Sequence, residues 1–158
     1  MQLELLAPAK NKEIGIAAID CGADSIYIAG PAFGAREAAG NSVEDIAELV
    51  RYAHQFGVQI YTVVNTIIYE DELNEVEKLL WQLYESEVDA FIIQDLGLLK
   101  LNLPPVRLFA STQTFINNPE QAKFLESLGF ERLILERQMS LAQIKAIRDA
   151  VKCDLEFF

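Results

Sequence analysis

The feature that most constrains this chain is a repeat. Short runs rich in β-branched and aromatic residues alternate with longer runs of helical period, and glycine stands at three of the helix-to-strand junctions. Strands are expected over residues 3–7, 25–29, 59–64, 90–94, 106–110, 132–135 and 154–158. Helices are expected over 12–21, 43–56, 71–86, 96–101, 119–128 and 141–150. Cys21-Gly22-Ala23-Asp24, Phe56-Gly57-Val58-Gln59 and Leu128-Gly129-Phe130-Glu131 each put glycine just past a helix. A left-handed cap is needed there, and glycine adopts it without a Cβ penalty. Ser86-Glu87-Val88-Asp89 fills the same place without glycine. Ser42 ahead of Val43, and Asn118-Pro119-Glu120, read as helix starts.

Strand, helix, strand, repeated, means parallel pairing through right-handed crossovers. Runs such as Ile60-Tyr61-Thr62-Val63-Val64 are almost continuously apolar, as strands covered on both faces are. The reading is one α/β domain over residues 1–158, a parallel (β/α) TIM-like barrel. A closed barrel has eight strands, so this one is expected to be incomplete or truncated after the seventh. A doubly wound open sheet has the same periodicity and is the alternative. The last residues, Leu155-Glu156-Phe157-Phe158, form a strand with no helix after it. That predicts an exposed edge, self-association through it, and a missing downstream part.

The formal net charge is −11, which disfavours phosphate backbones and anionic lipid and makes nucleic acid an unexpected partner for this chain alone. No apolar run approaches the ~18 residues of a spanning helix, and the start does not read as a signal peptide. The cytoplasm is therefore the expected location. The two cysteines, Cys21 and Cys153, give neither a disulfide framework nor a metal-binding pair, so no cofactor is expected within the chain. The single histidine, His54, lies late on a helix and is expected to meet helix-end carbonyls.

Ligands of such folds bind beyond the carboxyl ends of the strands. Polar residues recur there: Arg36 after the second strand, Asn65 after the third, Asp95 after the fourth, Ser111, Gln113 and Asn117 after the fifth, and Arg137 after the sixth. Glu156 lies on the seventh. Two arginines can clamp a carboxylate or phosphate, and amides can read an amide or a base edge. Asp95 and Glu156 are the candidates for proton transfer. Arg36, Asn65, Ser111, Gln113, Asn117 and Arg137 are the candidates for substrate binding, with a peptide or small molecule as the expected substrate. Each has a competing local role. Asp95 can cap a helix, Asn65 and Asn117 can close loops, and Arg36 and Arg137 can pair with Glu37 and Glu136. Glu156 is harder to assign locally, because a carboxylate on a short apolar strand is costly unless it is paired or wet.

Seven segments in order resemble one family. They are Leu5-Leu6-Ala7-Pro8-Ala9, Gly22-Ala23-Asp24-Ser25-Ile26-Tyr27, Phe33-x-Ala35-Arg36-x-x-Ala39-x-Asn41, Asn65-Thr66 with Glu72-Leu73, Asp89-Ala90 through Gln94-Asp95-Leu96-Gly97, Ser111-Thr112-Gln113 with Asn117, and Glu156-x-Phe158. The chain resembles the collagenase-like peptidases of family U32. Lys10, Phe109 and Gln138 depart from the family's usual Gly, His and Glu. The resemblance implies proteolysis of peptide substrates as the first reading. The alternative it implies is iron–sulfur-dependent, oxygen-independent hydroxylation of RNA bases or of a quinone precursor. A small-molecule-binding barrel is a further reading from the residues. The family signature continues beyond Glu156-x-Phe158 into cysteines, so a 4Fe-4S cluster is expected only in a longer protein. This chain alone is expected to be inactive.

Overall fold

The computed structural model describes residues 3–35 and 40–158. The elements run β1 (Leu6–Ala9), α1 (Lys12–Asp20), β2 (Ser25–Ala29), α2 (Val43–His54) and β3 (Gln59–Val64). A 3-10 turn, Glu70–Glu72, then leads into α3 (Leu73–Glu85) and β4 (Ala90–Ile93). β5 (Arg107–Ala110), α4 (Pro119–Ser127), β6 (Arg132–Ile134), α5 (Leu141–Ala150) and β7 (Asp154–Glu156) complete the order. The strands form one seven-stranded sheet in the order β1-β2-β3-β4-β5-β6-β7, and every neighbouring pair is parallel.

Two observations decide between barrel and flat sheet. The buried apolar residues of all five helices, from Ile19 on α1 to Ile147 on α5, join a single cluster with the outward strand residues Ile26, Ile60, Phe91, Ala110 and Leu133. The other face of the sheet carries a separate cluster with no helix residue: Tyr61, Ala90, Ile92, Phe109 and Ile134, with Leu6, Tyr27 and Val63 packed on it. Helices therefore cover one face, and the strands pack against each other across the other. In addition, Arg132 at the start of β6 reaches Glu4, just ahead of β1, with NH1 and NH2 donating to the two carboxylate oxygens at 3.0 and 2.5 Å. A flat sheet in this order would hold those two residues far apart, since neighbouring strands are ~4.8 Å apart. The sheet is curled into a barrel wall, and the doubly wound alternative is ruled out.

Gly22, Gly57 and Gly129 have φ of 94°, 71° and 98°, the left-handed caps read from the sequence. Glu87 does the same work at φ 63° and bears the steric cost that glycine avoids. Ser42, Asn118 and Ser140 cap α2, α4 and α5 with side-chain oxygens that accept from the N–H three residues on.

Most element ends shift by a residue or two, and three differences from the sequence reading have a clear physical cause. The first strand lies at Leu6–Ala9 rather than 3–7. Leu5 N–H is taken by the Asp24 carboxylate at 2.8 Å, and Pro8 is tolerated because β1 pairs only with β2 and its missing donor faces no partner. The fourth connection has no α-helix. Leu96–Lys100 is a 3-10 turn, and Pro104 and Pro105 follow too closely for further helical turns. The last strand stops at Glu156, and Phe157 and Phe158 lie beyond it.

Candidate functional site

The strand C-termini open into a cavity of about 670 Å³. Its apolar wall is the upper part of the barrel interior, with Tyr27, Val63, Ile92 and Ile134. Asn65, Ser111, Gln113 and Glu156 bring polar groups to it, and Lys10 and Arg137 bring cations. Strand alternation makes this arrangement. Glu156 pairs in register with Ile134, and both face inward, whereas Leu133 and Leu135 face the helices.

Asn65, just past β3, joins three loops. Its Oδ1 accepts from Ala35 N–H at 3.0 Å, and its Nδ2 donates to Ser111 Oγ at 3.5 Å. Ser111 is buried, and its Oγ also accepts from Gln113 N–H at 3.2 Å. Gln113 and Arg137 are exposed at the mouth, and the Arg137 guanidinium stacks 4.4 Å above the Phe158 ring. Among the described residues neither Lys10 nor Arg137 has an acidic partner, so the pairing of Arg137 with Glu136 expected as its local role is not made by the guanidinium.

Two candidates stand apart. The Asp95 carboxylate accepts from Gly97 N–H at 2.8 Å and Ile68 N–H at 3.0 Å, and it does not line the cavity. Its capping role takes both oxygens. Asn117 is drawn into the start of α4, where its Oδ1 accepts from Asn118 Nδ2 and its N–H donates to Gln121 Oε1. Arg36 lies outside the described residues. His54 meets the Asp89 carboxylate at 3.0 Å instead of helix-end carbonyls, away from the cavity lining.

The sequence reading missed the charged layer beneath the cavity. Arg132, its side chain 8% exposed, lies in the barrel interior between Glu4 and Glu156. Glu4 also accepts from Ser25 Oγ at 2.5 Å and Tyr61 Oη at 2.8 Å. Burial pushes the Glu4 carboxyl up, but the bonds from Arg132, Ser25 and Tyr61 outweigh it and hold it at about 2. Burial, then the neighbouring Glu4, pushes the Tyr61 hydroxyl up to about 12. Glu156 is in the opposite position. Its Oε2 is buried with no hydrogen-bond partner, and Arg132 NH1 lies 3.6 Å away, too far to donate to it. Burial pushes this carboxyl up to about 7, because Arg132 only partly compensates and Glu4 adds repulsion. A signal for this layer was present: Ser25, Tyr61 and Arg132 alternate with the outward Ile26, Ile60 and Leu133, which places a polar set in the interior.

The side chains among the described residues do not make a donor set for an iron–sulfur cluster. No group of three or more His, Cys, Asp or Glu with metal-binding geometry occurs among the described residues. Cys21 and Cys153 lie away from the cavity lining, and burial, followed by the nearby Glu126, pushes the Cys153 thiol up to about 11, against thiolate formation.

Residues 10–158 match the model of Peptidase family U32. The chain belongs to peptidase family U32. This U32 chain is 49% identical over 157 residues to the 23S rRNA 5-hydroxycytidine C2501 synthase of Escherichia coli, covering 99% of the chain and 24% of that protein. It is 31% identical over 159 residues to the tRNA hydroxylation protein P1 of Bacillus subtilis, covering 98% of the chain and 38% of that protein. The chain thus spans about a quarter to two-fifths of the length of these relatives. Among solved structures, the U32 peptidase Mk0906 superposes with a TM-score of 0.76 at 15% identity, over 99% of this chain and 68% of that one. That likeness shows the shared fold. No helix among the described residues is long and apolar enough to cross a membrane.

Proposed function

We propose that the strand-end cavity binds one nucleobase of RNA and that the protein carrying this U32 domain acts in RNA base hydroxylation. This is the alternative implied by the sequence, and it now stands ahead of the peptidase reading. The observation that carries it is the lining of the cavity. Two amides, a hydroxyl and a carboxyl face an apolar slot with an aromatic wall, Tyr27, and Lys10 and Arg137 stand at its mouth. Amide and carboxyl groups read base edges, aromatic faces stack on bases, and cations meet the adjoining phosphates. The volume, about 670 Å³, exceeds that of a single nucleotide and lies in the usual range for small-ligand sites. The names of the E. coli and B. subtilis relatives support the same class of substrate.

Peptide hydrolysis has less support in the geometry. Ser111 Oγ has Asn65 and Gln113 as its neighbours rather than a general base, and His54 is bound to Asp89 outside the cavity lining. With a net charge of −11, an RNA footprint wider than one nucleotide needs basic surface from outside this chain.

The test is a nucleoside analysis of 23S rRNA and total tRNA by liquid chromatography and mass spectrometry, comparing the native host with a strain lacking the gene. Loss of a hydroxylated pyrimidine, restored by the gene and not by its Asn65→Ala or Arg137→Ala variant, is expected. An unchanged nucleoside profile, with casein or gelatin cleaved by the purified protein, overturns the reading in favour of proteolysis.

A further inference from the structure

The cavity and the charged layer beneath it share one arginine between two acids. Arg132 gives both terminal nitrogens to Glu4, at 3.0 and 2.5 Å, in a bidentate pair. Glu156 receives no hydrogen bond from it, although NH1 lies 3.6 Å from Oε2. The reason is geometric. Glu4 precedes β1 and takes both prongs of the guanidinium, whereas Glu156 on β7 lies alongside β6 and reaches only one flank. Asp154, also on β7, lies 3.9 Å from NH2 and is mostly exposed. Tyr61 from β3 donates its hydroxyl to Glu4 and leaves Arg132 over its ring at 5.3 Å. The cavity cations Lys10 and Arg137 make no hydrogen bond or ion pair to Glu156 among the described residues. Glu156 is therefore a buried acid that lines a ligand cavity and shares its counter-ion: Arg132 lies within ion-pair distance of it but gives both of its hydrogen-bonding prongs to Glu4.

We infer that Glu156 reads the edge of the bound base by giving it one hydrogen bond from the carboxyl oxygen other than the buried Oε2, and that Arg132, beside Oε2, is a positioning residue which Glu4 holds back from a direct hydrogen bond. The inference rests on the nucleobase reading above and names the recognition contact within it. An ionised carboxylate only accepts, whereas a carboxylic acid donates through its O–H and accepts through its carbonyl. The pairing edge of cytosine presents an acceptor for that O–H, the ring N3. The carboxyl, raised to about 7 by burial, keeps the donating form present at neutral pH. Releasing Arg132 from Glu4 would let it close its 3.6 Å approach to Glu156 into a hydrogen bond and favour the carboxylate, which cannot donate to N3.

The probe is cytidine, which carries no phosphate to titrate in the working range, bound to the full chain and followed by NMR chemical shifts. Wild type should bind cytidine about tenfold or more tightly at pH 6 than at pH 8.5, as the protonated fraction of a group near 7 falls. Glu156→Gln keeps an N–H donor toward the cavity at every pH, so it should bind at both pH values with little difference. Glu4→Gln should lose cytidine binding at pH 7 and move the Glu156 carboxyl titration down. If Glu4→Gln does not fold, the Glu156→Gln comparison decides alone. Equal wild-type affinity at both pH values, loss of binding in Glu156→Gln, or no cytidine binding by the folded chain overturns the inference. Such a result leaves the hydroxylation reading to the nucleoside analysis, which does not depend on which residue touches the base.

Discussion

Replacing Glu156 by glutamine tests the electrostatics of the barrel directly. The Glu156 carboxyl titrates near 4.5 in an unfolded chain and at about 7 in the fold, with its side chain 15% exposed. At ~1.36 kcal/mol per pH unit, that difference corresponds to roughly 3 kcal/mol. Between these two values the folded state binds more protons than the unfolded state, so stability falls as pH rises from 4.5 to 7. The penalty is complete above 7 and absent below 4.5. Glutamine has the same shape, can turn its carbonyl oxygen toward Arg132, and does not ionise. The expected outcome is that Glu156→Gln is more stable than wild type at pH 8 by up to about 3 kcal/mol, with the two converging near pH 4.5. Urea denaturation at half-unit pH steps measures this, and the side-chain carboxyl shift followed by NMR assigns the titrating group. Parallel stability profiles for the two proteins would refute the reasoning, since they would mean that Glu156 is ionised in the fold at no cost and that Arg132 compensates it fully.

Other outcomes follow from single residues. Thr62 Oγ1 is buried with no hydrogen-bond partner, so Thr62→Val should raise stability by about 1 kcal/mol in chemical denaturation, and a loss of that size would point to a hidden partner. Glu87 stands at φ 63° where the equivalent junctions use glycine, so Glu87→Gly should stabilise by roughly 1 kcal/mol, seen as a rise of several degrees in Tm. Phe115, exposed at φ 58° after β5, should give a gain of the same sign and size on Phe115→Gly. The Glu4 carboxyl, held at about 2, contributes stability that is present above 4.5 and lost as pH falls toward 2. Its NMR titration should therefore have a midpoint near 2, and a midpoint near 4.5 would refute the Arg132 pair.

By itself, the sequence determined the strand order and the chemistry of the rim. Gly22, Gly57 and Gly129 marked helix ends because only residues without a Cβ take positive φ at no cost, and those marks divide the chain into strand–helix units. The strand ends placed Asn65, Ser111, Gln113 and Arg137 just beyond them and Glu156 on the last strand, and the structure gathers these five around one cavity. Local pattern was silent on competition between partners. Asp95 and Asn117 sit at the same kind of position, yet Asp95 is drawn to Ile68 and Gly97 N–H groups and Asn117 to Asn118 and Gln121, because a side chain takes the nearest unsatisfied donor or acceptor. Only the curl of the sheet brings Glu4 to Arg132 across 128 residues of sequence. That long-range pairing depends on barrel curvature, a property of all the strands together. Through it, the curled packing decides that Arg132 gives its hydrogen bonds to Glu4 and that Glu156 faces the cavity without a full counter-charge.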